Sequence, residues 1–309
     1  MPWNPDDLPD ASGRTFVVTG STSGIGYFAA EQLAGAGAHV VLAARSAEKI
    51  EAARAAIIDR VPQASLGATI LELGSLASVS RAAAELAALP RLDGVLLNGG
   101  SMAMSRSQTT VDGLPLLLGT HVVANFALIA GVLPALVRSA SSSGSPGRVV
   151  HTSTGFVQRF GMRVDDLARV PRTGVGAYTK AKTITELFAF ELDRRLRAAR
   201  RPVASLVVRP GVGVDAKTPT RPGIHDATTL YRRNPFTPWA QGKDAAAWSA
   251  VRALLDPDAH GGDYFAPSGG NTGRPVRVAA DPRTAEPEPG LADRVWTELE
   301  HLGGRTLRM

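Results

Sequence analysis

The feature that most constrains this chain is an alternation: short, continuously apolar runs succeed one another, and a stretch with helical spacing follows most of them. "RTFVV", "AHVVLAAR", "LGATILEL", "LDGVLLN", "GRVVHTST", "PVASLVVRP" and the late "GDYFAP" read as strands; "SAEKIEAARAAIIDRV", "SLASVSRAAAELAAL" and the closing "GLADRVWTELEHL" read as helices. A strand apolar on both faces must be covered on both, and a helix between strands returns the chain so that the next runs parallel. The expected fold is α/β, one doubly wound domain over residues 1–309 with a parallel, seven-stranded sheet. The length and a hydrophobic content of 44% suffice for a large single core.

Composition removes several function classes. Cysteine is absent, so there is no disulfide framework, thiolate nucleophile or thiolate metal site, and no metal is expected. The opening "MPWNPDDLPD" is acidic and proline-rich, unlike a secretory signal, and a cytoplasmic location is expected. The net charge is +6, but arginine is scattered and aromatics are few; the dense "RRLRAARR", Arg194 to Arg201, reads as a solvated helix C-terminus rather than a nucleic-acid patch. The apolar stretch Leu114 to Val137 is long enough to span a bilayer, yet it holds Pro115, His121, Asn125 and Pro134 without basic anchors. It reads as a helix buried against the sheet. Two segments break the rhythm: the polar "SASSSGSPG", Ser139 to Gly147, and a proline-rich excursion from about 212 to 243, expected over the substrate side of the sheet.

Between the first strand and the first helix, "VVTGSTSGIG" places Gly20, Gly24 and Gly26, with Ser21, Ser23 and Ile25 among them. Glycines there permit positive φ and let the backbone approach a diphosphate, whose charge meets amides and dipole at the helix N-terminus. The spacing T-G-x-x-x-G-I-G resembles that of the short-chain dehydrogenase/reductase family, and the resemblance extends over essentially the whole chain. The opening "WNPDDLPDASGRTFVVTG" and the late "GGDYFAPSGGNTGRP" resemble its retinol-dehydrogenase-like and WW-domain-oxidoreductase-like subgroup. The resemblance implies a Rossmann domain that binds a nicotinamide dinucleotide. At the end of the second strand Ala44 stands where an acidic residue would hold a ribose 2′-hydroxyl, and Arg45 and Ser46 follow; an arginine there suits a 2′-phosphate, so NADP(H) is expected. Glu72, with Leu73, falls where the family usually has an Asp contacting the adenine edge; in place of its N-N-A-G, Asn98 keeps the second Asn while Gly99, standing for Ala, and Gly100 keep the backbone slender beside the cofactor; Pro210, Gly211 and Val212 match the Pro-Gly placed against the nicotinamide.

The stretch "GAYTKAK" carries the chemistry. The chain has 34 Lys and Arg, but its only lysines are Lys49, Lys180, Lys182, Lys217 and Lys243. Tyr178 and Lys182, four apart, share a helix face, whereas Lys180 points elsewhere as a surface charge. An ammonium beside the phenol favours its ionised form, and the resemblance implies that Tyr178 is the proton donor and acceptor while Lys182 also holds the nicotinamide ribose.

Three further positions depart from the family pattern. Its hydroxyl for the substrate oxygen falls on Thr154, or on Ser153 one residue earlier. Its helix-borne Asn falls on His121, with Asn125 one turn on. Asp215 stands where a Thr is common, and a carboxylate there would repel phosphate. The reading is an NADP(H)-dependent oxidoreductase interconverting a carbonyl and an alcohol on a lipophilic small molecule, forming a homodimer or homotetramer through its long helices. The alternatives are a nucleotide-binding sensor with little turnover, and a lyase or epimerase on the same scaffold.

Overall fold

The computed structural model describes residues 3–101, 106–228 and 237–309. Its order is β1 (Thr15–Thr19), α1 (Gly24–Gly35), β2 (His39–Ala44), α2 (Ala47–Arg60), β3 (Ser65–Ile70), α3 (Leu76–Ala87) and β4 (Gly94–Leu97). There follow α4 (Leu116–Leu118), α5 (Ala124–Ser143), β5 (Gly147–Thr152), α6 (Phe156–Phe160), α7 (Gly174–Ala198) and β6 (Val203–Val208). The chain ends with α8 (Lys243–Leu255), β7 (Tyr264–Pro267), β8 (Pro275–Val278), α9 (Pro282–Ala285) and α10 (Leu291–Gly303).

The strands form one sheet in the order β3-β2-β1-β4-β5-β6-β7-β8. The first seven are parallel, as their apolar runs require; β8 adds an eighth, antiparallel strand at the edge, with Phe265 opposite Arg277. "PVRV" escapes a reading for apolar runs because it is only four residues long and largely exposed, and Pro275 suits an edge position. Two apolar layers flank the sheet. One packs α1, α2 and α8 beneath Phe16, Val18 and Leu42; the other packs α3, α5, α7 and α10 against Val17, Val95 and Val149.

The long apolar stretch is this second layer. Residues Leu116–Ser143 are helical throughout, passing through a π-helical turn at Gly119–Val123, and 83% of their most apolar window is buried inside the fold. The helix extends to Ser143 and stops at Gly144 (φ +71°), so the expected polar loop is half helix; Ser139 faces inward and accepts a hydrogen bond from the amide of Leu92. The arginines after Arg194 are not merely solvated. Arg194 reaches the carbonyl of Ala285, Arg195 pairs with Glu191 and Asp293, and Arg201 reaches the carbonyl of Met309. They fasten the C-terminal segment to α7.

Candidate active site

Strand order reverses between β1 and β4, so the crevice beyond their C-terminal ends is where such a sheet takes a ligand. Thr19 builds its floor: the hydroxyl donates to the carbonyl of Leu96 and accepts from the amides of Asn98 (3.0 Å) and Gly99 (2.9 Å). Gly20 and Gly24 take φ of +67° and +58°, and a Cβ on Gly26 would stand 2.3 Å from the carbonyl oxygen of Gly20. The turn is therefore closed to larger residues, with α1 starting directly behind it and Ile25 packed on the α1 layer. Two observations fit an anionic ligand here. The Ser23 side chain makes no capping bond to the helix it precedes, and the Ser21 hydroxyl is fully buried without a partner. These groups and the first-turn amides could cradle a dinucleotide diphosphate.

Beyond this cradle, the Arg45 guanidinium extends from β2 with its side chain 76% exposed and stands 3.9 Å from a Glu72 oxygen. The other Glu72 oxygen accepts from the amide of Gly74, which holds the carboxylate at the rim. The Ser46 hydroxyl caps α2 by accepting from the amide of Lys49. Leu73 packs over Gly99: a Cβ there would lie 2.8 Å from its Cδ1, so glycine at 99 answers a steric demand and not only one of flexibility. Asn98 Nδ2 donates to the carbonyl of Thr19, tying the two strand ends together.

At the other end of the crevice, α7 presents Tyr178 and Lys182. The Lys182 ammonium donates to the carbonyl of Thr152 at the end of β5 (2.6 Å) and stands 5.8 Å from the centre of the Tyr178 ring. Burial pushes Lys182 down to about 8, Glu186 acting weakly the other way, and pushes the Tyr178 phenol up to about 12. The expectation that Lys182 draws the phenol down is not met here, because desolvation of the half-buried ring outweighs an ammonium held toward β5. Lys180 also differs from expectation. It is buried and donates to the carbonyls of Asp166 and Arg169, so it staples the loop before α7 instead of meeting solvent.

The two hydroxyls at the end of β5 separate cleanly. Ser153 is buried and donates to Glu186 (2.5 Å), a carboxylate that also accepts from Tyr264 (2.9 Å) and Thr284 (2.8 Å). Thr154 is half-buried, beginning the turn into α6; its hydroxyl accepts only a long bond from the amide of Phe156 (3.4 Å), and the Phe156 ring meets that of Tyr178 edge-on at 6.4 Å.

His121 lies in the π-helical turn and meets Tyr178 edge-on with ring centres 5.5 Å apart. Burial and the nearby Lys182 charge push its imidazole down to about 3, so it is neutral. Nε2 contacts the carbonyl of Ser101 and therefore carries the proton; Nδ1 is left as a buried acceptor without a partner. Gly100 is the price of this placement, since a Cβ there would come within 2.2 Å of that nitrogen. The Asn125 side-chain amide donates to the His121 carbonyl one turn back, and its Oδ1, like His121 Nδ1, is a buried acceptor without a partner.

Pro210, Gly211 and Val212 leave β6 against the loop after β7. Gly211 has φ +71°, and the Val212 amide donates to the carbonyl of Asn271. Asp215 follows in a short 3₁₀ turn, its charge neutralised by an ion pair with Lys243. The described part of the 212–243 excursion turns onto α1, where Arg221 grips Glu31; residues 229–236 lie outside the described ones. Sequence reasoning missed Thr19 and Lys243. The scarcity of lysine was the available signal for the second, because Lys180, Lys182, Lys217 and Lys243 all hold their ammonium on an internal partner.

The comparisons with known proteins agree with this geometry. Residues 14–219 match the profile of the family described as short chain dehydrogenase. The polyprenol dehydrogenase of Mus musculus is 31% identical over 308 residues, covering 98% of this chain and 87% of that one. A crystal structure of an uncharacterised protein from Mycobacterium paratuberculosis superposes with a TM-score of 0.77 at 29% identity, covering all of both chains. A short chain dehydrogenase from Escherichia coli complexed with NADPH superposes over 66% of this chain and 79% of that one, with a TM-score of 0.53 at 28% identity. With a family profile across both the glycine-rich turn and Tyr178, and a curated relative aligned nearly end to end, the chain belongs to the short chain dehydrogenase family of oxidoreductases.

Proposed function

We propose that the protein uses NADP(H) to interconvert a carbonyl and an alcohol on a lipophilic small molecule, with Tyr178 as general acid and base. The observation that carries this reading is the buried Lys182 ammonium, anchored on the Thr152 carbonyl beside Tyr178 in a crevice that begins at the glycine-rich turn. An isolated buried ammonium is costly and is kept where its charge acts on something. Hydride is the chemistry the dinucleotide supplies. Tyr178 holds its proton at neutral pH and gives it to the far more basic oxygen formed from the carbonyl; the reverse transfer serves oxidation. Thr154, not Ser153, has the hydroxyl for that oxygen, because Ser153 is bound to Glu186. The exposed Arg45 is the group for a 2′-phosphate, and the NADPH complex of the Escherichia coli relative supports the same choice.

A lipophilic substrate is supported by the name of the polyprenol dehydrogenase relatives. A nucleotide-binding protein with little turnover is the second reading, favoured by the neutral imidazole of His121 where the family pattern has an amide. Calorimetric titration with NADPH and NADH tests the dinucleotide: NADPH should bind at least tenfold tighter, about 1.4 kcal/mol. Tyr178→Phe then separates the readings. Loss of carbonyl reduction with binding retained supports the enzyme, whereas binding without turnover in the unaltered protein over a broad carbonyl panel supports the second reading.

A further inference from the structure

Lys243 opens α8, and its stem crosses the glycine-rich turn: a Cβ built on Gly24 would stand 3.7 Å from its Cδ. Its ammonium is paired with Asp215, whose carboxylate also lies 3.8 Å from Nδ1 of His225. The segment that carries both residues is itself latched to α1. Arg221 makes two hydrogen bonds to Glu31 (2.5 and 2.7 Å) and lies 5.4 Å over the Phe28 ring. The segment thus crosses α1 and sets an ion pair at the Gly24 side of the turn, the same turn in which the hydroxyl of Ser21 is buried without a partner.

We propose that Lys243 is a diphosphate-binding residue and that Asp215 holds its ammonium in place until the dinucleotide enters. This rests on the dinucleotide reading above. The glycine-rich turn offers amides and a helix dipole but no cation of its own, and a diphosphate is doubly charged. Lys243 is the ammonium whose stem already lies on that turn, and its side chain keeps 29% of its surface exposed, enough freedom to move from one anion to another. Asp215, which would repel a phosphate if bare, is the counter-ion that the incoming diphosphate displaces. Because NADPH and NADH share the diphosphate, Lys243 strengthens both equally, whereas Arg45 discriminates between them.

The test is calorimetric titration of the full chain with NADPH and, separately, NADH, for the unaltered protein, Lys243→Met, Asp215→Asn and the double variant, each first shown to unfold cooperatively. Lys243→Met should weaken both nucleotides about tenfold, the effect of one charge-assisted contact, and leave their ratio unchanged. Asp215→Asn should tighten both, and the double variant should bind as weakly as Lys243→Met. If the lysine serves only to neutralise Asp215, the double variant regains full affinity and the proposal falls; it falls equally if Lys243→Met binds like the unaltered protein. Failure of the unaltered protein to bind either nucleotide would overturn the dinucleotide reading together with this one.

Discussion

Lys182 and Tyr178, 5.8 Å apart from ammonium to ring centre, are displaced in opposite directions by the same burial: the lysine down to about 8 and the tyrosine up to about 12. At neutral pH both keep their protons, the ammonium at a cost to the fold. This separation has a signature in stability.

For Lys182 the folded value lies below the ordinary lysine value of 10.5, so the unfolded chain binds the proton more tightly. Stability is then depressed below pH 8 and rises as pH climbs from about 8 to 10, by roughly 2 to 3 kcal/mol. Above pH 10 Tyr178 acts in the opposite sense, because the unfolded phenol ionises while the folded one does not. Urea denaturation between pH 7 and 10 should show the rise in the unaltered protein and a clearly shallower one in Lys182→Met, where buried Lys180 still contributes in the same sense, together with loss of reduction.

The two candidate hydroxyls at the end of β5 should part in kinetics and stability. Ser153→Ala removes one of the three hydroxyls that satisfy buried Glu186 and should destabilise the fold by about 1–3 kcal/mol with turnover little changed. Thr154→Val removes the hydroxyl that is not committed to Glu186 and should lower kcat by roughly 10²-fold or more at unchanged stability. Measuring kcat and the urea midpoint for both variants decides between them.

How far the sequence could be read follows from the kind of signal each feature leaves. Apolar runs and helical periodicity are local, so seven strands and their covering helices were legible, while β8, short, largely exposed and with a proline at its start, was not. Tyr178, Lys182 and the glycine-rich turn were legible as short local spacings, given their meaning by their resemblance to a family pattern. Partnerships across long separations left no such mark: Ser153 meets a glutamate 33 residues away, Lys180 reaches back to carbonyls at 166 and 169, and Lys243 neutralises Asp215 across the excursion. The charge that made Asp215 look unfit for a phosphate site is cancelled by a residue that only the fold brings near.

Acid should find a different weakness. His121 and His151 are both buried and pushed down to about 3, far below the ordinary value of 6.5, burial being the larger cause and the Lys182 charge the smaller. The unfolded chain therefore binds protons that the folded chain refuses as pH falls from 6.5 toward 3, and each imidazole removes about 1.4 kcal/mol per pH unit in that window. In His121→Asn the pH dependence of the urea midpoint between 6 and 4 should be visibly shallower. An unchanged slope would mean that His121 is solvated and protonated in the folded protein.

The last expectation concerns association. Helix α10 lies along α5 and α7, with Trp296 between Phe126 and Phe188 at ring-centre distances of 5.9 and 5.7 Å, and with Arg195 stacked on its ring at 4.2 Å. Val295 and Leu299 are buried in the same seam, Gly303 sits against Phe126, and the pairing of Arg195 with Asp293 fastens the helix from outside. The part of α5 and α7 around Phe126, Phe188 and Arg195 is thus covered by the chain's own C-terminus, and association through that strip would first require α10 to leave. Losing the Trp296 contacts alone should cost about 3–5 kcal/mol, the usual effect of truncating a buried aromatic. In sedimentation velocity the full chain should run as a monomer, and a chain ending before Leu291, with its apolar strip uncovered, should self-associate. A dimer of the full chain with cross-links between α5 or α7 of the two copies would show that α10 yields this face.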